Sequence, residues 1–323
     1  MRLGVLDVGS NTVHLLVVDA HRGARPMPMH SEKAVLRIIE RIGVDGELDK
    51  KVVDELVLAV AQARDSAQRL GCEELLAFAT SAIRDADNAD AVLARIADET
   101  GIELRVLTGE QEARLTFLAV RRWFGWSAGR LLVLDIGGGS LEVAMGADEE
   151  PELAESLPVG AGRITRTRFA NDPPTRAEVV STTAWLDDRL GELADHVSAV
   201  GVPDRVVGTS KTLRSLARLT GAAPSSAGPH VRRVLNHTGL RQLIAFISRM
   251  SSDDLAQLEG VSVSRAHQLV AGALVAESTM RVLSLDSLEI CPWALREGVI
   301  LQRLDHSDGA DRTALLTGWR RGA

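Results

Sequence analysis

Short apolar runs alternate with amphipathic stretches along most of this chain. Leu3–Leu6 and Val13–Val18 are aliphatic runs of strand length, and the polar, glycine-bearing stretch Asp7-Val-Gly-Ser-Asn-Thr12 between them predicts a turn. From Lys51 to Leu70, Val53, Leu56, Val57, Val60, Ala63 and Ala67 recur at helical spacing, and Gly71 stands where a C-cap belongs. Glu74–Ala79 predicts a buried strand, Ala89–Thr100 a helix and Ile102–Leu107 a further strand. Thr108 is then the N-cap candidate of a helix that opens on Gly109-Glu-Gln-Glu-Ala113. Acidic residues in that first turn suit the helix dipole, which is a structural reason for them. Strands alternating with helices imply βαβ units and a layered α/β architecture.

The pattern then restarts. Leu131–Leu134 predicts a strand, Asp135-Ile-Gly-Gly-Gly-Ser140 a turn and Leu141–Ala144 a returning strand. Leu6-Asp7-Val8-Gly9 matches Leu134-Asp135-Ile136-Gly137, and Thr12 matches Ser140. Two strand–Asp-x-Gly–hairpin units imply duplicated domains. The boundary is expected in the helix through Arg121 and Arg122 or at Gly125–Gly129. Domain I is thus 1–122, completed by a C-terminal helix over 297–310, and domain II is 123–296. Within the second half, Val206–Val207 leads through Gly208-Thr-Ser210 into a helix at Lys211–Leu219. Gly221–Pro229 is a loop, helices are expected at Leu240–Met250 and Arg265–Leu283, and a strand near Leu288–Cys291. The polar tail over 311–323 is expected to fray.

Composition narrows the function. The 323 residues are 45% hydrophobic and 25% charged, as in a globular protein long enough for two domains. There is no tyrosine, and five phenylalanines and five tryptophans leave little for stacking nucleic-acid bases. A net charge of −7 also argues against a nucleic-acid partner, although a small cleft on an acidic protein can be locally basic. Cys72 and Cys291 form no CxxC pair and read as free buried thiols of a reducing compartment. No apolar stretch approaches the length needed to span a bilayer, and the start has no signal-peptide pattern. A cytoplasmic protein without a membrane partner is expected.

The two Asp-x-Gly turns carry the chemistry. Their glycines let successive backbone N–H groups point at an anion, and Ser10, Thr12 and Ser140 can add hydroxyl donors. Asp7 and Asp135, each at a strand end, supply carboxylates for Mg²⁺, directly or through water. Glu142 shares a strand face with Ser140 and can point into the same cleft; the alternative is a solvent-facing residue. Gly208-Thr-Ser-Lys-Thr212 is a third such turn, where a helix N-terminus can take an anion and Lys211 and Arg214 add positive charge. Thr209 or Ser210 can equally be an ordinary N-cap. Arg84, after Thr80-Ser-Ala-Ile, can fork onto phosphate or pair with Asp85 or Asp87. Gly160-Ala-Gly-Arg163, with Arg166 and Arg168, is a candidate basic rim or a solvated face.

In this order, Leu3-Gly-Val-Leu-Asp-Val-Gly-Ser-Asn-Thr12, Ala79-Thr-Ser-Ala-Ile-Arg84, Gly109-Glu-Gln-Glu-Ala-Arg114, Asp135-Ile-Gly-Gly-Gly-Ser140 and Leu295-Arg-Glu-Gly298 resemble the exopolyphosphatase and guanosine-pentaphosphate phosphatase (Ppx/GppA) family. The resemblance is to the short form found in actinobacteria. It implies an actin-like ATPase (RNase H-like) duplicated two-domain fold with an interdomain active-site cleft. It also implies a catalytic glutamate at Glu112, with Glu110 as competitor. Metal carboxylates map onto Asp135 and Glu142, with Asp7 at the site. Phosphate contacts map onto Gly9, Ser10, Asn11, Thr12, Arg84, Gly137, Gly138, Gly139, Ser140, Gly208, Thr209 and Ser210. Lys211 stands where many members carry a small neutral residue.

The expected activity is release of orthophosphate from the end of inorganic polyphosphate, with Mg²⁺, or Mn²⁺ as the alternative, and a monovalent cation as a further candidate. Hydrolysis of guanosine pentaphosphate is the main rival. An actin-like kinase and a non-catalytic polyphosphate or alarmone sensor are weaker ones. Guanosine penta- or tetraphosphate and other nucleotides are candidate regulators, and the relatives imply a homodimer.

Overall fold

The computed structural model describes residues 1–21, 23–306 and, as backbone alone, 317–320. It divides into two units, Met1–Leu115 with Leu295–Ala323, and Thr116–Ala294.

In the first unit, β1 (Arg2–Val8) and β2 (Thr12–Asp19) form the hairpin expected from the sequence, and β2 continues antiparallel into β3 (Met27–Val35). On its other side β1 pairs parallel with β4 (Glu74–Ala79), which pairs parallel with β5 (Arg105–Val106). The strand expected over Ile102–Leu107 is thus reduced to two residues. Between β3 and β4 lies α1 (Lys50–Arg69), where Asp49 accepts the Val52 N–H at 2.8 Å and Gly71, with φ +78°, ends the run. The short α2 (Ser81–Arg84) and then α3 (Ala89–Thr100) follow β4, and α4 (Gly109–Phe124) follows β5. The unit boundary falls inside α4.

Alternation along the central strands gives this sheet two buried faces. Leu6, Val8, Val13, Leu15 and Val17 pack with Val52, Leu56 and Val60 of α1 and with Val92 and Ile96 of α3. Leu3, Val5, Leu16, Val18, Leu76 and Phe78 pack on the opposite face against Leu115, Val299, Ile300 and Leu304.

The second unit repeats the connectivity. β6 (Leu131–Ile136) pairs antiparallel with β7 (Leu141–Gly146), and β7 with β8 (Leu153–Leu157). β6 pairs parallel with β9 (Arg205–Gly208). The sheet runs on through β11 (Ser287–Ile290) to β10 (Val234–Asn236). Its helices are α5 (Ala161–Arg168), α6 (Arg176–Val200), α7 (Lys211–Leu219), α8 (His237–Ile247), α9 (Ser252–Leu255) and α10 (Leu269–Val282). The helix expected from Arg265 begins instead as a 3-10 segment, Val263–Gln268.

The chain ends in the first unit with α11 (Leu295–Asp305). Gly298 is needed there because a Cβ would come within 1.9 Å of the Leu115 carbonyl oxygen. Of the tail expected to fray, 311–316 and 321–323 lie outside the described residues. Thr317–Arg320 form β12, which pairs antiparallel with β4.

Candidate active site

Each unit gathers polar groups at the carboxyl ends of its parallel strands, where open α/β sheets bind ligands. In the first unit the Gly9 N–H closes the β1–β2 turn on the Thr12 carbonyl at 3.0 Å. Ser10 and Asn11 are buried in that turn. The Ser10 and Ser81 hydroxyls lie 2.9 Å apart, and the Thr80 N–H donates to the Val8 carbonyl at 3.1 Å. The Gly9–Thr12 and Thr80–Arg84 turns are thereby fastened together.

Thr108 caps α4 through a reciprocal pair. Its hydroxyl accepts the Gln111 N–H at 3.2 Å, and its own N–H donates to Gln111 Oε1 at 3.0 Å. This cap fixes the register of the first turn and separates its two glutamates. Glu112 is 7% exposed and takes a short hydrogen bond from Arg84 Nη1, which also donates to the Leu107 carbonyl at 2.9 Å. Glu110 stays exposed and pairs with Arg114 one turn on. Burial works against the Arg84 cation, but Glu112 and then Asp85 outweigh it, so its pKa is raised.

Asp7 meets a residue for which no role is expected from the sequence pattern. Arg296, at the start of α11, donates from Nη1 to Asp7 Oδ2 at 3.0 Å. Its Nε is buried without an acceptor among the described residues. Opposite Asp7 across the hairpin stands His14, buried, with Nε2 2.8 Å from the Ser31 hydroxyl. Burial, with the nearby charges of Arg296 and Lys33, lowers the His14 pKa to about 3.

The second unit has the matching arrangement, with Glu142 opposite Asp135 in the position of His14 opposite Asp7. Asp135 Oδ2 accepts the Thr209 hydroxyl at 2.5 Å, and buried Glu142 accepts the Ser156 hydroxyl at 2.9 Å. The sequence left open whether Glu142 faces solvent; it does not. The carbonyls of the glycine turn are bound from behind. Gly137 O accepts the Ala161 N–H, Gly138 O the Arg163 N–H, and Gly139 O both the Gly160 N–H and Arg163 Nε. The N–H groups of Gly138, Gly139 and Ser140 have no protein acceptor among the described residues, which leaves a nest of donors suited to an anion. Gly160 is indispensable here, since a Cβ would approach the Ser140 nitrogen to 2.3 Å.

At the third turn the Ser210 hydroxyl caps α7 by accepting the Leu213 N–H at 3.2 Å, while Thr209 is spent on Asp135. Of the two N-cap candidates the structure selects Ser210. Lys211 is solvent-exposed at the start of α7, and desolvation by its surroundings followed by the charges of Arg214 and Arg265 lowers its pKa. Arg163 proves to brace the glycine turn rather than form a free rim, and Arg166 and Arg168 end α5.

Among the described residues no cluster of three or more His, Cys, Asp or Glu side chains is arranged to hold a metal. The paired carboxylates Asp135 and Glu142 nonetheless suit Mg²⁺, which commonly takes one or two protein carboxylates and completes its shell with water and phosphate oxygens.

A duplicated β-hairpin–βαβ core with glycine turns and carboxylates at its strand ends is an actin-like fold equipped to handle phosphate. The chain belongs to the Ppx/GppA phosphatase family, which matches residues 16–307. It is 62% identical over 316 residues to Exopolyphosphatase 1 of Mycobacterium tuberculosis, covering 98% of this chain and 91% of that protein. Among solved structures, a Ppx/GppA enzyme of Aquifex aeolicus is 28% identical with a TM-score of 0.76, covering 94% of this chain and 99% of that one. An exopolyphosphatase of Cytophaga hutchinsonii shares the fold with a TM-score of 0.84 at 24% identity, over 94% and 98% of the two chains.

Proposed function

We propose that the chain is an exopolyphosphatase, which cleaves the terminal phosphoanhydride of inorganic polyphosphate and releases orthophosphate. The observation that carries the reading is the buried Glu112 at the head of α4, paired with partly buried Arg84, in a chain 62% identical to an Exopolyphosphatase 1. Glu112 is the general base and Glu110 is not, because Glu110 is exposed and already paired with Arg114.

Phosphoryl transfer needs an aligned nucleophile and neutralised charge more than covalent help. A phosphate oxygen competes with Glu112 for Arg84, and the exchange frees the carboxylate to orient water. Water oxygen bonds to the terminal phosphorus as the bridging P–O bond breaks. Glu112 accepts the water proton, and the bridging oxygen leaves on the shortened chain. The donors of Gly138, Gly139 and Ser140, with the hydroxyls of Ser10 and Thr12, bind phosphate oxygens. Asp135 and Glu142 would hold Mg²⁺, which when bound supplies positive charge to the phosphate chain. Asp7, already compensated by Arg296, would add carboxylate charge from the first unit.

The test is phosphate release with Mg²⁺ from short polyphosphate, long polyphosphate, guanosine pentaphosphate and ATP in parallel. Release from polyphosphate is expected, fastest on short chains. Release from guanosine pentaphosphate alone would move the protein to alarmone hydrolysis, and silence on all four would leave a binding role.

A further inference from the structure

Among the described residues only Arg37 (φ 51°) and Ser284 (φ 54°) hold a positive φ without being glycine. Ser284 is explained by the end of α10. Its N–H donates to the Arg281 carbonyl at 3.1 Å and the Leu285 N–H to the Met280 carbonyl at 2.7 Å, an ordinary helix stop. Arg37 ends no helix. It follows β3, and its left-handed conformation, with ψ 47°, bends the chain so that the Leu36 and Arg37 N–H groups both reach the Asn11 carbonyl at 3.0 Å. The Ile39 N–H then reaches the Ser10 carbonyl at 3.1 Å.

The second unit is built the same way after β8. There the N–H groups of Gly160, Ala161 and Arg163 hold the carbonyls of the glycine turn, and Arg163 Nε donates to the Gly139 carbonyl at 2.9 Å. In each unit the segment after the third strand, β3 or β8, grips the turn from behind and brings an arginine to it. What that arginine does differs. The Arg163 side chain is part of the grip, whereas no acceptor among the described residues holds the Arg37 guanidinium. Arg41, on the same segment, is taken by Glu55. Arg37 is also only partly exposed.

Glycine would make the same bend without steric cost, so the bend alone does not call for an arginine. Backbone strain of this kind clusters where ligands are clamped. A partly buried cation without a counter-charge, one side chain's length from a turn suited to anions, is stabilised when an anion arrives. We propose that Arg37 is a further substrate-binding residue, kept unpaired beside the Gly9–Thr12 turn to fork onto phosphate oxygens of the chain that this turn takes. The identity of that anion as polyphosphate rests on the hydrolase reading. Arg37 holds phosphate in the bound substrate and in the transition state alike, so it lowers KM and leaves kcat unchanged.

Three variants of the full chain test it. Arg37→Gly accepts the left-handed backbone and removes the cation, and Arg37→Lys keeps a charge without the fork. Arg241→Gln removes an exposed arginine of α8 as the charge-matched control. Phosphate release with Mg²⁺ gives KM and kcat for tripolyphosphate, calorimetric titration without Mg²⁺ reads binding apart from turnover, and urea unfolding reads stability. Arg37→Gly should raise KM and weaken tripolyphosphate binding about tenfold to a hundredfold, the range for losing a charged hydrogen bond. Its kcat should hold and its urea midpoint stay near the native one, because glycine relieves the strain while loosening the unfolded chain. Arg37→Lys should fall between, and Arg241→Gln should match the native chain. Unchanged KM and binding in Arg37→Gly, an effect on kcat alone, or an equal loss in Arg241→Gln overturns the proposal. A urea midpoint that falls together with binding in Arg37→Gly also overturns it, because Arg37 is then a brace. A native chain that binds tripolyphosphate without hydrolysing it would sink the hydrolase reading, while weaker binding by Arg37→Gly would still uphold Arg37.

Discussion

Glu110 and Glu112 are two residues apart in one helical turn, yet Glu110 is exposed and paired with Arg114 while Glu112 is buried against Arg84, and the base is proposed to be Glu112. Glu110→Gln removes an exposed i,i+4 pair and should change turnover by no more than about twofold, since such pairs contribute only tenths of a kcal/mol. Steady-state phosphate release reads this directly, and a large loss would transfer the base assignment to Glu110. The motif pointed to both, and their burial and ion-pair partners in the folded chain distinguish them. Arg296 was harder to see, because its bond to Asp7 joins residues 289 apart, and no local pattern marks such a partner.

His14 gives the residue scale a pH signature. Its folded pKa, about 3, lies below the unfolded value of about 6.5, so the unfolded chain binds the extra proton in between. Its contribution to stability is therefore full above pH 6.5 and lost as pH falls towards 3, by up to about 1.4 kcal/mol per pH unit. Chemical denaturation of the protein and of His14→Gln between pH 7 and pH 4.5 should show a shallower loss in the variant. Parallel curves would mean that His14 is not buried as a neutral ring.

At the scale of elements, the hairpins were legible because turn chemistry is local: Asp-x-Gly and flanking aliphatic runs suffice. The edge strand β3 was missed because Met27–Val35 carries Pro28 and several polar residues and is largely exposed. Helix α6 was missed although Thr175 and Glu178 form a capping box at its start. Its buried stripe is only Thr182, Leu186, Leu190, Leu193 and Val197 among many charged positions.

Two contacts between elements are open to test. Gly160→Ala should push α5 off the glycine turn, costing about 1–3 kcal/mol and raising KM for polyphosphate. Gly191→Ala, in α6 with open space around it, should leave KM unchanged and slightly raise thermal stability. Equal KM values in the two variants would contradict the role given to Gly160. The buried Arg303–Glu74 pair fastens α11 to β4, with Nε–Oε2 at 2.9 Å. Glu74→Ala should cost about 3–5 kcal/mol by stranding the guanidinium, while Glu74→Leu with Arg303→Met should cost far less. Urea unfolding of the single and double variants decides it; a harmless Glu74→Ala would show that the pair is not buried as a pair.

For the whole molecule, duplication was readable from two short matches, Leu6-Asp7-Val8-Gly9 and Leu134-Asp135-Ile136-Gly137. The structure extends it to five strands of each sheet, β5-β4-β1-β2-β3 and β11-β9-β6-β7-β8, with the sixth strands β12 and β10 placed differently, and to the carboxylate of Glu142 answering the neutral ring of His14. One fold unit has thus diverged into a half that carries the base candidate and a half that carries the paired carboxylates. No helix among the described residues is long and apolar enough to cross a membrane.

The most direct measurement follows tripolyphosphate by ³¹P resonance with Mg²⁺, for the native chain and Glu112→Gln. The native chain should release orthophosphate and pyrophosphate together in equal amounts. Glu112→Gln should bind tripolyphosphate yet turn it over about 10²–10⁴-fold more slowly, the usual share of a general base. Undiminished release by Glu112→Gln, or no release by the native chain, would contradict the account.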